Sequence, residues 1–382
     1  MKKVVIYGYY GQKNTGDDYI MLSVINSALK SRVCDIYVIV KEICFANYSF
    51  PKNVHFLALS RNKLIRQLQI TFHACKCNKF IIGGGGIWPN DSVGKVLCNY
   101  LWVTLSSFFG TRVVLYGIEV TEIRNNISRK LWRKLLKKVD WVTTRTQNSQ
   151  KILLSITNER EVLFFPDITF ALRDLDLNKY LKRIKTPEIY EDFILWALAM
   201  PWSLEELQNK HFKDRYNTLV SALIDAHHYI DRVFPDCKNV LVPFLHPSDM
   251  AFAQNLISLG FDNAEIYQGS LAEIRPLFAK AKLAIDMRFH SVIFSMFEAC
   301  PFAAISYSPK TTDTLQDNRL KCFTEFGIRE SSYFYREFDL NKDEFLELID
   351  RISDGGERKA DRENLMSEAL RGEEKLISWL NG

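Results

Sequence analysis

The chain has no long apolar run: nowhere do its 382 residues reach the ~18 consecutive apolar positions that a membrane-spanning helix needs. Its opening, MKKVVIYGYYG, is too short in apolar residues for a secretory leader and breaks at Gly8, so no signal peptide is expected. A dominant charge is missing too. Fifty bases against 45 acids leave a net +5, too mild to argue for nucleic acid, and no RNA- or DNA-binding signature is present. The eight cysteines are scattered, and Cys75 and Cys77 lack the second pair that a zinc spacing requires. Most cysteines sit in apolar segments and read as small buried hydrophobes of a reducing compartment, so a cytoplasmic protein with no bound metal is expected. The dinucleotide fingerprint is absent as well, because Gly8, Gly11 and Gly16 do not match G-x-G-x-x-G.

What is present is a regular alternation. Hydrophobic residues make up 47% and charged residues 25%, an ordinary globular balance with enough chain for two cores. Runs such as KKVVIYG, CDIYVIV, NKFIIGGGG, RVVLYGI, DWVTTRT and REVLFFPD read as strands, and helical patterns lie between several of them. After a charged, weakly patterned stretch the alternation resumes with FILWALAM, KNVLVPF, AEIYQG, KLAIDM and PFAAISY. Strands alternating with helices imply parallel sheets covered on both faces. The expected fold is α/β, with two Rossmann-like doubly wound domains facing across a cleft. Residues 1–172 form the first domain, 173–190 a linker, 191–340 the second domain and 341–382 C-terminal helices. In such sheets ligands sit beyond the carboxyl ends of the strands.

Four stretches carry polar chemistry at such positions. In GYYGQKNTGDDY, Asp17 and Asp18 stand where a helix should begin. Carboxylates there would repel a phosphate, so Asn14, Thr15, Asp17 and Asp18 suit hydroxyl groups better, although plain helix capping accounts for them too. In GGGGIWPND, residues 83–91, the glycines allow a close backbone approach and no Lys-Ser/Thr pair follows; Trp88 suits either packing or stacking on a sugar ring. In SRKLWRKLLKKV, Leu131, Trp132, Leu135, Leu136 and Val139 form one apolar stripe while six bases and no acid fill the rest. That basic face, residues 129–138, is either simply solvated or a dock for anionic headgroups or a lipid-diphosphate-linked substrate, a peripheral contact at the inner face of a membrane.

The fourth stretch, AIDMRFHSVIF, puts Arg288 and His290 at a strand-to-helix junction, with Ser291 expected to begin the helix. The next strand opens into SPKTTDT, which brings Ser308, Lys310 and Thr311 to the neighbouring mouth. Arg288, His290 and Lys310 with two helix N-termini make an anion site. The bland alternative is an exposed arginine beside a hydrogen-bonded core histidine.

These segments, in order, resemble the polysaccharide pyruvyl transferase family. GYYGQKNTGDD looks like its first loop and IIGGGGIW like its glycine run. DWVTTRTQNSQKIL with FFPDITF looks like its arginine-serine and proline-aspartate segments, and DMRFHSVIFSMFEACPFAAISYSPK resembles its most characteristic stretch. The resemblance implies a glycosyltransferase-B-like pair of domains. It also implies transfer of pyruvate from phosphoenolpyruvate to a sugar diol as a ketal in cell-surface polysaccharide synthesis, such as exopolysaccharide or capsule. Phosphoenolpyruvate is then a co-substrate, and no cofactor is implied. It marks Arg288 and His290 as donor-binding and catalytic, Asn14, Gly16 and Asp17 in the first loop, and Arg145 and Asp167 near the domain junction. Met200 stands where an arginine is usual, and Glu119 where a small residue is expected; these departures bear on a divergent or inactive member.

Phosphoenolpyruvate carries a phosphate and a carboxylate, which ask for cationic or amide anchors. Arg288, Lys310, Ser308 and Ser291 are the donor candidates, and His290 suits the proton transfers. Asn14, Asp17, Asp18, Trp88 and Glu119 are the acceptor candidates. A nucleotide-sugar glycosyltransferase of the same architecture and a non-catalytic glycan-binding member are the alternatives.

Overall fold

The structure is a computed structural model. It describes residues 2–33, 35–43, 49–85, 92–157, 160–172, 192–269, 271–318, 342–353 and 361–382. The chain divides into two compact units, Met1–Ile184 with Glu363–Gly382, and Lys185–Arg362. The expected linker and Trp88 lie outside the described residues.

The first unit runs β1 (Lys3–Tyr7), α1 (Thr15–Leu29), β2 (Asp35–Val40), β3 (Val54–Ala58), α2 (Lys63–Cys75), β4 (Lys79–Gly85), α3 (Val93–Phe108), β5 (Arg112–Ile118), α4 (Asn126–Leu136), β6 (Val142–Thr144), α5 (Gln147–Leu154) and β7 (Val162–Phe164). The strands form one parallel sheet in the order β3-β2-β1-β4-β5-β6-β7. Val4, Val5 and Ile6 in β1, and Phe80, Ile81 and Ile82 in β4, are all buried, as expected for central strands covered on both faces. Right-handed crossovers place α2, α3 and α4 on one face. Their inward residues, among them Ile70, Val103 and Trp132, share a single core with Val5, Phe80 and Leu115. Helix α1, buried from Thr15 to Ala28, covers the other face. A final helix, Arg362–Asn381, packs beside it: Glu373 accepts from Ser27 Oγ at 3.0 Å and Lys30 Nζ at 2.9 Å.

The second unit runs β8 (Phe193–Ala197), α6 (Lys210–Val233), β9 (Lys238–Leu241), α7 (Ser248–Ser258), β10 (Ala264–Ile266), α8 (Leu271–Phe278), β11 (Leu283–Asp286), α9 (Phe289–Glu298), β12 (Phe302–Ala304), α10 (Pro309–Asp317) and α11 (Lys342–Ser353). The final helix is accordingly α12. The strands form a second parallel sheet, ordered β10-β9-β8-β11-β12. Every residue of β8 is buried, which matches its unbroken apolar run FILWA.

Each sheet has one place where the strand order reverses: between β1 and β4 in the first unit, between β8 and β11 in the second. Loops diverge there and leave a crevice beyond the strand ends. The first glycine loop and the glycine run flank one reversal, and the segments after Ala197 and Asp286 flank the other. Elements β3, α2 and α3 were not anticipated from sequence. Helix α9 also begins earlier than expected: Arg288 is its N-cap and Phe289 its first residue, so Ser291 lies within the first turn.

Candidate active site

In the first unit the loop after β1 folds inward. Tyr10 is buried and donates its hydroxyl to Gly83 O at 2.8 Å, tying the first loop to the glycine run. A side chain at Gly83 would strike Tyr116 O at 2.6 Å, and one at Gly84 would strike Ile20 at 2.1 Å. The bareness of those two glycines is therefore used up by the protein's own packing against β5 and α1, rather than reserved for a ligand.

Asp17 and Asp18 sit in the first turn of α1, each about 5% exposed. Neither caps the helix in the simple way. Asp18 accepts the Gly11 amide at 2.9 Å, and Asn14, at the N-cap, donates its side-chain amide to Asp17. Burial pushes Asp18 up to about 7, against the pull of the Gly11 amide and with a further push from Asp17. It is thus a carboxyl that changes charge near neutral pH.

Arg145, just after β6, is buried between acids. It pairs with Glu119, after β5, and with Asp167 at 3.3 Å. Asp167 also accepts the Thr169 amide and hydroxyl at 3.0 and 2.9 Å. Burial would lower the guanidinium pKa, but Glu119, Asp167 and Asp17 outweigh it and raise the value above the usual range. Glu119, expected to face an acceptor, is therefore committed largely to Arg145, which explains an acid where a small residue was expected. One cation among four carboxylates leaves the strand ends of this unit acidic, suited to hydroxyl groups and hostile to phosphate.

In the second unit Arg288 stands at the order reversal, where the Met287 amide bonds Ala197 O across from β8 at 3.0 Å. Its Nε donates to Asp249 Oδ2 at 2.9 Å, a second nitrogen reaches the other oxygen, and Nη1 donates to Tyr307 Oη at 3.0 Å. Asp249 is buried and also accepts the Phe244 and Leu245 amides at 3.2 and 2.8 Å. Burial works against the guanidinium, but Tyr307 and Asp249 hold its pKa well above the usual arginine range. Sequence reasoning missed both partners: Asp249, in the first turn of α7, lies 39 positions away and Tyr307, after β12, lies 19 away.

His290 occupies the first turn of α9, 7% exposed. Ser291 is fully buried and donates to Arg288 O at 2.7 Å, so its hydroxyl fixes the turn rather than facing a ligand. Asp286, closing β11, accepts from Ser295 Oγ at 2.6 Å, and burial pushes it up to about 7. Ser308 is the N-cap of α10 with no side-chain cap bond, and Lys310 Nζ lies 5.5 Å from the Phe289 ring centre. Helices α9 and α10 thus start from adjacent strands, with Arg288, His290, Ser308 and Lys310 at their beginnings. Met200 follows β8 in the loop on the other side of the reversal.

Two parallel, doubly wound sheets with polar loops at each reversal define an α/β protein of the glycosyltransferase-B-like class. UDP-N-acetylglucosamine 2-epimerase of Neisseria meningitidis, solved with UDP-GlcNAc, overlays with a TM-score of 0.60 at 11% identity, covering 99% of this chain and 100% of that one. The S. aureus MnaA–UDP structure gives 0.59 at 11%, covering 100% and 98%. No match is found among curated proteins. The sequence model of the polysaccharide pyruvyl transferase family matches residues 14–309, and the chain belongs to that family.

Proposed function

We propose that the protein transfers pyruvate from phosphoenolpyruvate to two hydroxyls of a sugar, on a glycan or a lipid-linked oligosaccharide, forming a cyclic ketal. The observation that carries this reading is Arg288-x-His290 at the order reversal of the second sheet, in a chain whose family match runs from residue 14 to 309. The donor is assigned to the second unit. Arg288 offers its remaining N–H groups to the carboxylate or phosphate, with Lys310 at the start of α10 as a further cationic anchor. The acceptor hydroxyls are assigned to the first unit, to Asn14, Asp17 and Asp18, with Asp18 poised near neutrality to take a proton.

The chemistry balances without a metal or cofactor. A proton is delivered to the methylene carbon of phosphoenolpyruvate, by His290 in this reading, and positive charge develops at the central carbon. One sugar hydroxyl attacks there and loses its proton. The C–O bond to phosphate breaks, the second hydroxyl attacks the same carbon to close the ring, and its proton departs with the phosphate. The reading places the enzyme in the cytoplasm, in cell-surface polysaccharide synthesis. Phosphate release from phosphoenolpyruvate, assayed over free and lipid-linked galactose, mannose and N-acetylmannosamine, tests it. Nucleoside diphosphate release from a nucleotide sugar would instead make the protein a glycosyltransferase, and binding without turnover would make it a glycan-binding member.

A further inference from the structure

The first unit exposes a face that a protein living wholly in water would not be expected to keep. Helix α2 turns Leu64, Leu68 and Phe72 outward, at 70%, 61% and 52% exposed. Helix α3 turns Leu101 and Phe108 outward, at 44% and 81%, and Phe109 caps it at 64%. These are not stray residues. Leu68 and Phe72 lie two positions either side of the buried Ile70, and Leu101 two before the buried Val103. At 3.6 residues per turn that is the opposite side of each helix. The two helices pack against each other on one face of the sheet, so the two stripes lie side by side and form one apolar surface.

Charge singles out the same face. Helices α2, α3 and α4 contain no aspartate or glutamate at all. Bases flank the apolar stripes instead. Exposed bases stand at both ends of α2, Lys63 at its first position and Lys76 at its C-cap, with Lys76 Nζ 4.1 Å from the Phe72 ring centre. Beyond α3, α4 packs on that helix and exposes Lys130, Arg133 and Lys134. A partner that itself carries a core of hydrocarbon and a rim of negative charge matches both halves of this pattern. A second copy of the chain matches it poorly, since the acid-free bases of one copy would meet those of the other.

We infer that the outer face of α2 and α3, flanked by the bases of α4, is a docking surface for an anionic lipid bilayer, with the leucines and phenylalanines seated at the acyl boundary and the lysines among the headgroups. No helix among the described residues is long and apolar enough to cross a membrane, so the attachment is peripheral and reversible. The earlier expectation placed any membrane contact on α4 alone. The structure gives α4 the supporting part, because its own apolar stripe, including Trp132, Leu135 and Leu136, is buried in the core.

Flotation of the full chain with vesicles, read without any turnover, tests the inference. Wild-type protein floats with phosphatidylglycerol-containing vesicles at low salt and keeps a residual fraction at high salt, because apolar contact is not screened. Leu68→Glu/Leu101→Glu lowers partitioning by roughly 10- to 100-fold, the worth of withdrawing one or two leucines from hydrocarbon. Lys130→Ala/Lys134→Ala weakens binding to anionic vesicles by about fivefold per residue and leaves binding to neutral ones unchanged. All these side chains are exposed, so circular dichroism and the melting temperature stay as in wild type; if the leucine pair misfolds, Phe108→Ser is read in its place. The inference is overturned if wild type does not float at low salt, or if the folded leucine variant floats like wild type. It is overturned equally if the leucine change dissolves a dimer while vesicles bind neither form, which would give the face to a second copy.

Discussion

Arg288 and Asp249 form a bidentate pair across 39 residues of sequence, with Nε at 2.9 Å from Oδ2 and Tyr307 on a third nitrogen. The pair holds the α9 start against the first turn of α7, and it half-neutralises the cation that the donor would use. Removing Asp249 leaves Arg288 partly buried without its partner and strips the Phe244 and Leu245 amides of an acceptor. Asp249→Ala is expected to cost about 3–5 kcal/mol in chemical denaturation, in the range of broken buried pairs. Asp249→Asn, which can still accept from the amides, is expected to cost clearly less.

Phosphoenolpyruvate binding should follow the second unit. Calorimetry on Arg288→Ala is expected to show at least a tenfold loss of donor affinity, about 1.4 kcal/mol, while Asp17→Ala leaves it near wild type. The reverse pattern would exchange the roles of the two units.

The Arg145 cluster makes an asymmetric prediction. Arg145→Met leaves Glu119, Asp167 and Asp17 facing one another in a buried setting, and is expected to destabilise by about 3–5 kcal/mol. Glu119→Gln keeps a hydrogen-bond acceptor while Asp167 still supplies charge, and should cost about 1 kcal/mol. Equal costs in thermal melts would show that the cluster depends on Glu119 as much as on Arg145.

Asp286 sets a pH dependence of stability. Its folded value is raised to about 7, above the ordinary carboxyl value of 3.8, so the ionised form is the one that folding disfavours. Its contribution to stability is full below pH 4, is lost as pH rises towards 7, and stays lost above. Asp286→Asn removes the ionisation and retains an acceptor for Ser295. The variant is expected to flatten the stability profile over that window and to exceed wild type at pH 8 by about 2 kcal/mol or more, one pKa unit being worth about 1.4 kcal/mol. A variant less stable than wild type at pH 8 would show that Ser295 and Ser291 hold the carboxylate more firmly than burial disfavours it.

Much of this was legible because the relevant signals are local. Strands such as FILWA and KVVIY carry unbroken apolar runs, and Arg288-x-His290 sits at a junction that periodicity alone locates. Helices α2 and α3 escaped for a physical reason. In KLIRQLQITFHAC the outward leucines and Phe72 fill the positions where polarity normally marks a helix face, and in VGKVLCNYLWVTLSSF apolar residues fall on both sides. The surface that hid those helices is the one assigned to lipid. Asp249, Tyr307 and the Arg145–Glu119 pair were invisible for another reason: each joins segments distant in the chain, and no spacing rule links them. The same holds for α12, whose return to the first unit rests on contacts such as Glu373 with Ser27, 346 positions apart.

His290 is expected to act on turnover far more than on donor binding. It lies in the first turn of α9, two positions after Arg288, and is 7% exposed. A group that gives a proton to carbon is needed in the transition state, whereas one that holds a phosphate or carboxylate is needed before it as well. Losing the first lowers kcat; losing the second raises KM. His290→Gln can keep part of the hydrogen bonding of an imidazole but cannot shuttle a proton near neutrality, and general acid–base losses run to about 100- to 10,000-fold in rate. The variant should therefore bind phosphoenolpyruvate within a few-fold of wild type and turn it over at least about 100-fold more slowly, while Arg288→Lys shows mainly a raised KM because a single ammonium cannot reproduce the fork. Phosphate-release kinetics on both variants separate the roles. Turnover of His290→Gln within about threefold of wild type, less than one catalytic group is worth, would leave the histidine only the task of shaping the turn.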